Sequence, residues 1–205
     1  PTPQRRYPRP QAKYKVRMEK SVMVPMSDGV KLATDLYFPE NAGDKLPVIV
    51  IRTPYDKNPW RNERYPSHFF AGQGYVVAVQ DVRGRFESEG DYIVSAADAR
   101  DGVDMVNWAT TQSWSNGKVG TYGCSYLGEN QMEMARLRNP NHAAIIPQGA
   151  GGSRNYFACY MNGAFELSGC LGWFRQSGAK LRGTPPTLPK IDYRQVWRHL
   201  PLIDM

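Results

Sequence analysis

Cysteine and histidine are both scarce: the 205 residues contain three of each. Cys124, Cys159 and Cys170 show no C-x2-C spacing, which excludes the common zinc-finger and zinc-ribbon frameworks. An odd count also argues against a disulfide framework, and buried thiols at 159 and 170 are expected rather than a bridge. No apolar run approaches the roughly 20 residues of a membrane-spanning helix. The longest, "LPVIVI" from Leu46 to Ile51, is strand-sized. The opening "PTPQRRYPRP" lacks an apolar h-region, so an export signal is expected to be absent or already removed, and the compartment stays open. No internal repeat, low-complexity block or heptad is present, and no residue cluster calls for a metal or an organic cofactor.

What is present is ordinary for a folded domain: 41% hydrophobic and 22% charged residues, in a chain long enough to bury a core. The net charge of +7 is unevenly placed. Residues 1–20 hold seven basic side chains (Arg5, Arg6, Arg9, Lys13, Lys15, Arg17 and Lys20) against Glu19 alone. No aromatic-rich RNA signature or zinc-finger spacing accompanies them. Residues 1–18 therefore read as a solvated, proline-broken arm, with neither nucleic acid nor membrane expected as a partner.

Further along, the pattern alternates. "SVMVPMSDGVKLATDLYFP" predicts two strands around a turn at Ser27-Asp28-Gly29. "LPVIVIRTP" and "YVVAVQD" are continuous apolar runs, the mark of central strands buried on both faces. "KVGTYG" and "AAIIPQ" predict two more. Between them, "AADARDGVDMVNWATTQ" places Ala99, Val103, Val106 and Ala109 at helical spacing, with Asp98, Asp101 and Asp104 on a polar face. A second helix, "ENQMEMARLR", must stop before Pro140. Strand and helix in alternation predict an α/β fold with a mostly parallel sheet and flanking helices. "GAFELSGCLGWF" fits a helix, and "SGAKLRGTPPTLPK" a linker.

The stretch "VGTYGCSYLGEN" (119–130) carries the chemistry. A serine hydroxyl attacks well only when a base takes its proton. A sharp turn between strand and helix exposes such a serine at the sheet's carboxyl edge. Ser125 fits, with Gly120, Gly123 and Gly128 around it and a helix beginning just after it. The Tyr126 N–H, at the helix start, is the natural donor to an oxyanion. The motif is G-x-S-x-x-G, with Leu127 where a second glycine is more usual, so an ordinary glycine-lined turn is the competing reading. Cys124 is expected to point away into packing.

Five segments in this order resemble the cocaine esterase and X-prolyl dipeptidyl peptidase family of α/β-hydrolases: "VMVPMSDGVKLATDLYFP", "VIVIRTPYDK", "GYVVAVQDVRGRFESEG", "WSNGKVGTYGCSYLGENQ" and "GAFELSGCLGWF". The resemblance covers residues 20–175. It implies an α/β-hydrolase core, incomplete in this chain, across 19–175, with a linker and the start of a helical cap over 176–205. It also implies that Ser125 is the nucleophile and that Tyr55, in "RTPYDK", offers its phenol to the oxyanion hole beside the Tyr126 N–H. Trp173 resembles a position near the acyl pocket, against the competing reading of a core tryptophan. The loop bearing Asp81 and Arg83 falls near the site, where a structural ion pair is expected.

The resemblance also exposes a gap. Its chain order is serine, aspartate, histidine, and neither His68, His142 nor His199 matches the base, nor Asp204 the acid. Three explanations compete: a split or processed enzyme whose second polypeptide carries the histidine and aspartate, a fragment of a longer chain, or a non-catalytic subunit on the same fold. The first two are favoured, because five intact motif blocks are hard to reconcile with a dead site. An ester or amide substrate, a second polypeptide and an oligomer are the expected partners. A half-sheet is further expected to expose an apolar edge.

Overall fold

The computed structural model describes residues 10–150, 160–161, 164–177, 192–196 and 198. Six strands form one sheet in the order β1-β2-β4-β3-β5-β6. β1 (Val16–Pro25) and β2 (Lys31–Pro39) are an antiparallel hairpin. Its turn is closed by the Met26 N–H donating to the Val30 carbonyl and by Gly29 at φ 84°, a conformation that glycine adopts without cost. β1 begins at Val16, so the sheet reaches into the stretch read as arm.

β2 lies antiparallel to β4 (Val76–Asp81), while β3 (Leu46–Thr53), β4, β5 (Ser115–Cys124) and β6 (His142–Gln148) run parallel. The sheet is thus mixed: parallel through its centre, antiparallel at the β1–β2 edge. Parallel strands bring their carboxyl ends to one edge, as Thr53 paired with Asp81 illustrates.

The continuous apolar runs behave as expected. On one face Val48, Val50, Val76 and Ala78 pack against Met105, Val106 and Ala109 of α2 (Asp98–Thr111) and Met134 of α3 (Tyr126–Ala135). On the other, Ile49, Ile51, Val77 and Val79 pack with Tyr37 and with Ala71 of α1 (Pro66–Gly72). At the far edge, Ile145 and Ile146 of β6 are 38% and 48% exposed, and no strand lies beyond them among the described residues. α4 (Leu167–Ser177) follows a two-residue hairpin, β7 (Tyr160–Met161) and β8 (Ala164–Phe165); α5 spans Tyr193–Val196. Cys159, His199, Asp204 and the linker from 178 to 191 lie outside the described residues.

One expectation fails. Asp98 and Asp101 do not mark a polar face: they are buried, at 5% and 0% exposure. Arg52, one residue from the end of an otherwise apolar strand, reaches both carboxylates at 3.8 Å and donates to the Asp98 carbonyl at 2.6 Å. Arg83 makes a two-pronged bond to Asp101 at 2.7 and 2.9 Å. Buried carboxylates persist where cations and hydrogen bonds compensate them. Only Asp104 faces outwards, where it accepts from the backbone and hydroxyl of Ser27.

Candidate active site

Ser125 joins β5 to α3 with φ 58° and ψ −122°. Such a backbone costs a non-glycine residue on the order of 1–3 kcal/mol and persists only where its surroundings over-determine it. Here they do. The Ser125 N–H donates to the Gln148 carbonyl at 2.8 Å, and its carbonyl accepts from Gly128 and Glu129 at 2.8 and 2.9 Å. Two glycines admit the close approach: a Cβ on Gly123 would stand 2.3 Å from Leu127 Cβ, and one on Gly128 would stand 2.9 Å from the Gln148 oxygen. Gly120 is not needed for it, since a Cβ there would make an ordinary 3.7 Å contact. The Ser125 side chain makes no capping bond to the helix, and the residue is exposed.

The three aromatic residues singled out in the sequence gather beside this turn. Tyr55 and Tyr126 meet edge to face at 6.2 Å between ring centroids. Trp173 stacks on Tyr126 at 5.9 Å and 18°. Its indole N–H donates to the Tyr55 hydroxyl oxygen at 3.1 Å. Tyr55 is 39% exposed, so the residue is open to solvent. Tyr126 opens α3, where backbone N–H groups point along the positive end of the helix dipole.

The segment carrying Tyr55 is bolted from beneath. The Tyr55 N–H donates to Thr53 Oγ1 at 3.0 Å, and Arg85 Nε donates to the Pro54 carbonyl at 2.8 Å. The Lys57 N–H donates to Asp81 at 2.8 Å. Lys57 Nζ, fully buried, donates to Glu87 at 2.7 Å and lies 3.6 and 3.9 Å from Asp81 and Asp35, both fully buried. Arg61 closes the cluster on Asp35 at 2.6 and 3.0 Å. Burial pushes the Asp81 carboxyl up to about 7, against the pull of the Lys57 charge. The neighbouring Asp56 carboxylate pushes the same way, and Asp81 Oδ2 has no hydrogen-bond partner.

This cluster was not legible as such. Asp81 and Arg83 do not pair with each other: Asp81 pairs with Lys57, while Arg83 pairs with Asp101 and Asp28. The available signal was a charge inside an apolar run: Asp35 in "ATDLYF", Arg52 in "VIVIRT" and Asp81 closing "VVAVQD". Cys124 also departs from expectation, being exposed rather than packed. It pairs with Gln148 on β6, the edge strand of the described sheet.

Neither described histidine serves the turn. His142 opens β6 opposite Val119, six residues before Ser125 along the strand direction, or roughly 20 Å of extended chain. It meets Thr121 Oγ1 at 2.9 Å. His68, on α1, packs edge-on against Tyr37 at 5.1 Å. Burial holds both below the usual histidine pKa.

The model of the X-Pro dipeptidyl-peptidase (S15) family matches residues 28–204. The chain is 38% identical over 165 residues to cocaine esterase from Rhodococcus sp. (strain MB1 Bresler), covering 78% of this chain and 29% of that protein. Among solved structures, an α-amino acid ester hydrolase superposes with a TM-score of 0.60 at 30% identity, covering 75% of this chain and 29% of that one. A CocE/NonD family hydrolase from Staphylococcus aureus gives 0.58 at 31% identity, covering 65% and 27%. The chain therefore spans less than a third of the length of these relatives.

Proposed function

Because the chain belongs to the X-Pro dipeptidyl-peptidase (S15) family of α/β-hydrolases, we propose that Ser125 is the nucleophile of a serine hydrolase that cleaves ester or amide bonds. The observation that carries this reading is the turn itself. A serine held at positive φ between β5 and α3, in an exposed position, is followed directly by Tyr126, whose ring meets Tyr55. Backbone strain clusters at sites kept for chemistry, and here it falls on the residue that carries the hydroxyl.

In this reading Ser125 Oγ attacks the substrate carbonyl carbon while its proton passes to a histidine. The oxyanion accepts hydrogen bonds from the Tyr55 hydroxyl and the Tyr126 N–H, donors fixed before the charge develops. Collapse expels the alcohol or amine, which takes the proton from the histidine, and leaves an acyl-enzyme. Water repeats the sequence and frees Ser125. The histidine and its aspartate come from sequence outside residues 1–205, carried by a longer form of the chain or by a second polypeptide. The placement of His68 and His142 away from the turn supports that assignment. Trp173 and Tyr126 form one aromatic wall for the acyl group.

The same missing base favours a second reading, a non-catalytic subunit. One experiment separates them. The native protein containing this chain is mixed with a p-nitrophenyl ester and quenched, and its peptides are weighed. A burst of nitrophenol with an acyl group on the Ser125 peptide, both lost in Ser125→Ala, is the expected result. A folded protein with neither burst nor adduct contradicts it. Tyr55→Phe should lower kcat roughly 10²- to 10³-fold with little change in KM, the loss expected for one oxyanion donor.

A further inference from the structure

The hydrogen bond between Trp173 and Tyr55 has a direction fixed by chemistry. An indole N–H can only donate, whereas a phenol oxygen can donate its one hydrogen and accept through its lone pairs. At 3.1 Å between Trp173 Nε1 and Tyr55 Oη, the tryptophan must be the donor and the tyrosine the acceptor. The phenolic hydrogen therefore cannot lie on the line to Trp173. It must rotate to another direction. Resting on the oxyanion reading of Tyr55, we propose that Trp173 is a positioning residue, whose N–H aims the Tyr55 hydroxyl hydrogen at the oxyanion and polarises it.

Three further features support this role. The Trp173 ring is held by its stack on Tyr126 at 5.9 Å and 18° and by Phe174 edge-on at 5.3 Å, so the N–H does not wander. The helix presenting it, α4, is anchored at its start, where the Gly169 and Cys170 N–H groups donate to the Glu166 carboxylate at 3.0 and 3.1 Å. The Tyr55 backbone is fixed independently by Thr53 and Arg85. With the backbone fixed and the oxygen engaged, the indole N–H restricts rotation of the Tyr55 O–H. Hydrogen bonds in a chain also strengthen one another, so an accepting phenol becomes a better donor. Tyr126 completes the arrangement: its backbone supplies the second oxyanion donor, and its ring holds the tryptophan that directs the first.

The test removes the N–H without changing the ring. In the native enzyme containing this chain, Trp173 is replaced by 3-benzothienylalanine, which has sulfur in place of the indole N–H. Loss of one neutral hydrogen bond predicts a kcat roughly five- to tenfold lower, with KM unchanged. The same replacement in Tyr55→Phe enzyme should cost nothing, because no oxygen remains to accept. Two results would overturn the proposal: a wild-type kcat for the benzothienyl enzyme, or an equal loss in both backgrounds, which would mark Trp173 as a packing or pocket residue. The oxyanion reading fails separately, by a Tyr55→Phe enzyme that keeps wild-type kcat.

Discussion

Two strand ends reach the same edge of the sheet and finish in opposite ways. β5 leads into Ser125, which is exposed and strained. β4 ends in Asp81, fully buried within a cluster of Lys57, Asp35, Glu87 and Arg61. The first end presents a reactive group. The second presents nothing, but fixes the backbone on which Tyr55 stands. The contrast shows how a site divides its labour: the reacting atom stays accessible, and the donors aimed at it are mounted on buried ionic groups. Desolvated charges are a stiff mount, because moving any one of them exposes another to an uncompensated interior.

The largest effect should come from breaking the mount. Lys57→Met removes the cation between two fully buried carboxylates, and loss of one partner in a buried cluster costs about 3–5 kcal/mol. Urea denaturation measures it, and an unchanged midpoint would show that the cluster does not hold this edge. Next comes the strain at the other end. Ser125→Gly and Ser125→Ala both remove the hydroxyl, but only glycine accepts φ 58° without cost. The glycine variant should therefore be the more stable of the two by about 1 kcal/mol or more. Equal stabilities would mean that the turn stores no strain.

The remaining effect is a pH slope. The Asp81 carboxyl, raised by burial from 3.8 to about 7, keeps its proton in the folded chain where the unfolded chain has lost it. Its contribution to stability is complete below the unfolded value and is lost as pH rises through about 7. Asp81→Asn keeps an acceptor for the Lys57 N–H and has no proton to lose. Wild-type stability should therefore fall relative to Asp81→Asn between pH 4 and 8. A parallel pair of curves would place the proton elsewhere in the cluster.

The same two ends show what a sequence discloses. The Ser125 end was legible because its constraints are local: glycines at 123 and 128, a strand before and a helix after. The strands were legible too, since uninterrupted runs such as "VIVI" have only an interior to occupy. The Asp81 cluster was not, because it is assembled from residues 35, 57, 61, 81 and 87, on three strands' worth of chain, and charge alone reads as surface. Asp98 and Asp101 misled for that reason: helical spacing set them apart from the apolar face, and Arg52 and Arg83, arriving from elsewhere, help to make their burial tolerable. Tyr55 and Trp173 entered through family resemblance; their hydrogen bond joins residues 118 positions apart, a distance over which no local pattern speaks.

The central claim is that Ser125 is an activated nucleophile. It is tested most directly by exposing the native protein to a fluorophosphonate and mapping the labelled peptides, with Ser125→Ala alongside. Rapid labelling confined to the peptide containing Ser125, and abolished by the substitution, is the predicted result. A well-folded protein that takes up no label, or takes it up elsewhere, would contradict the claim.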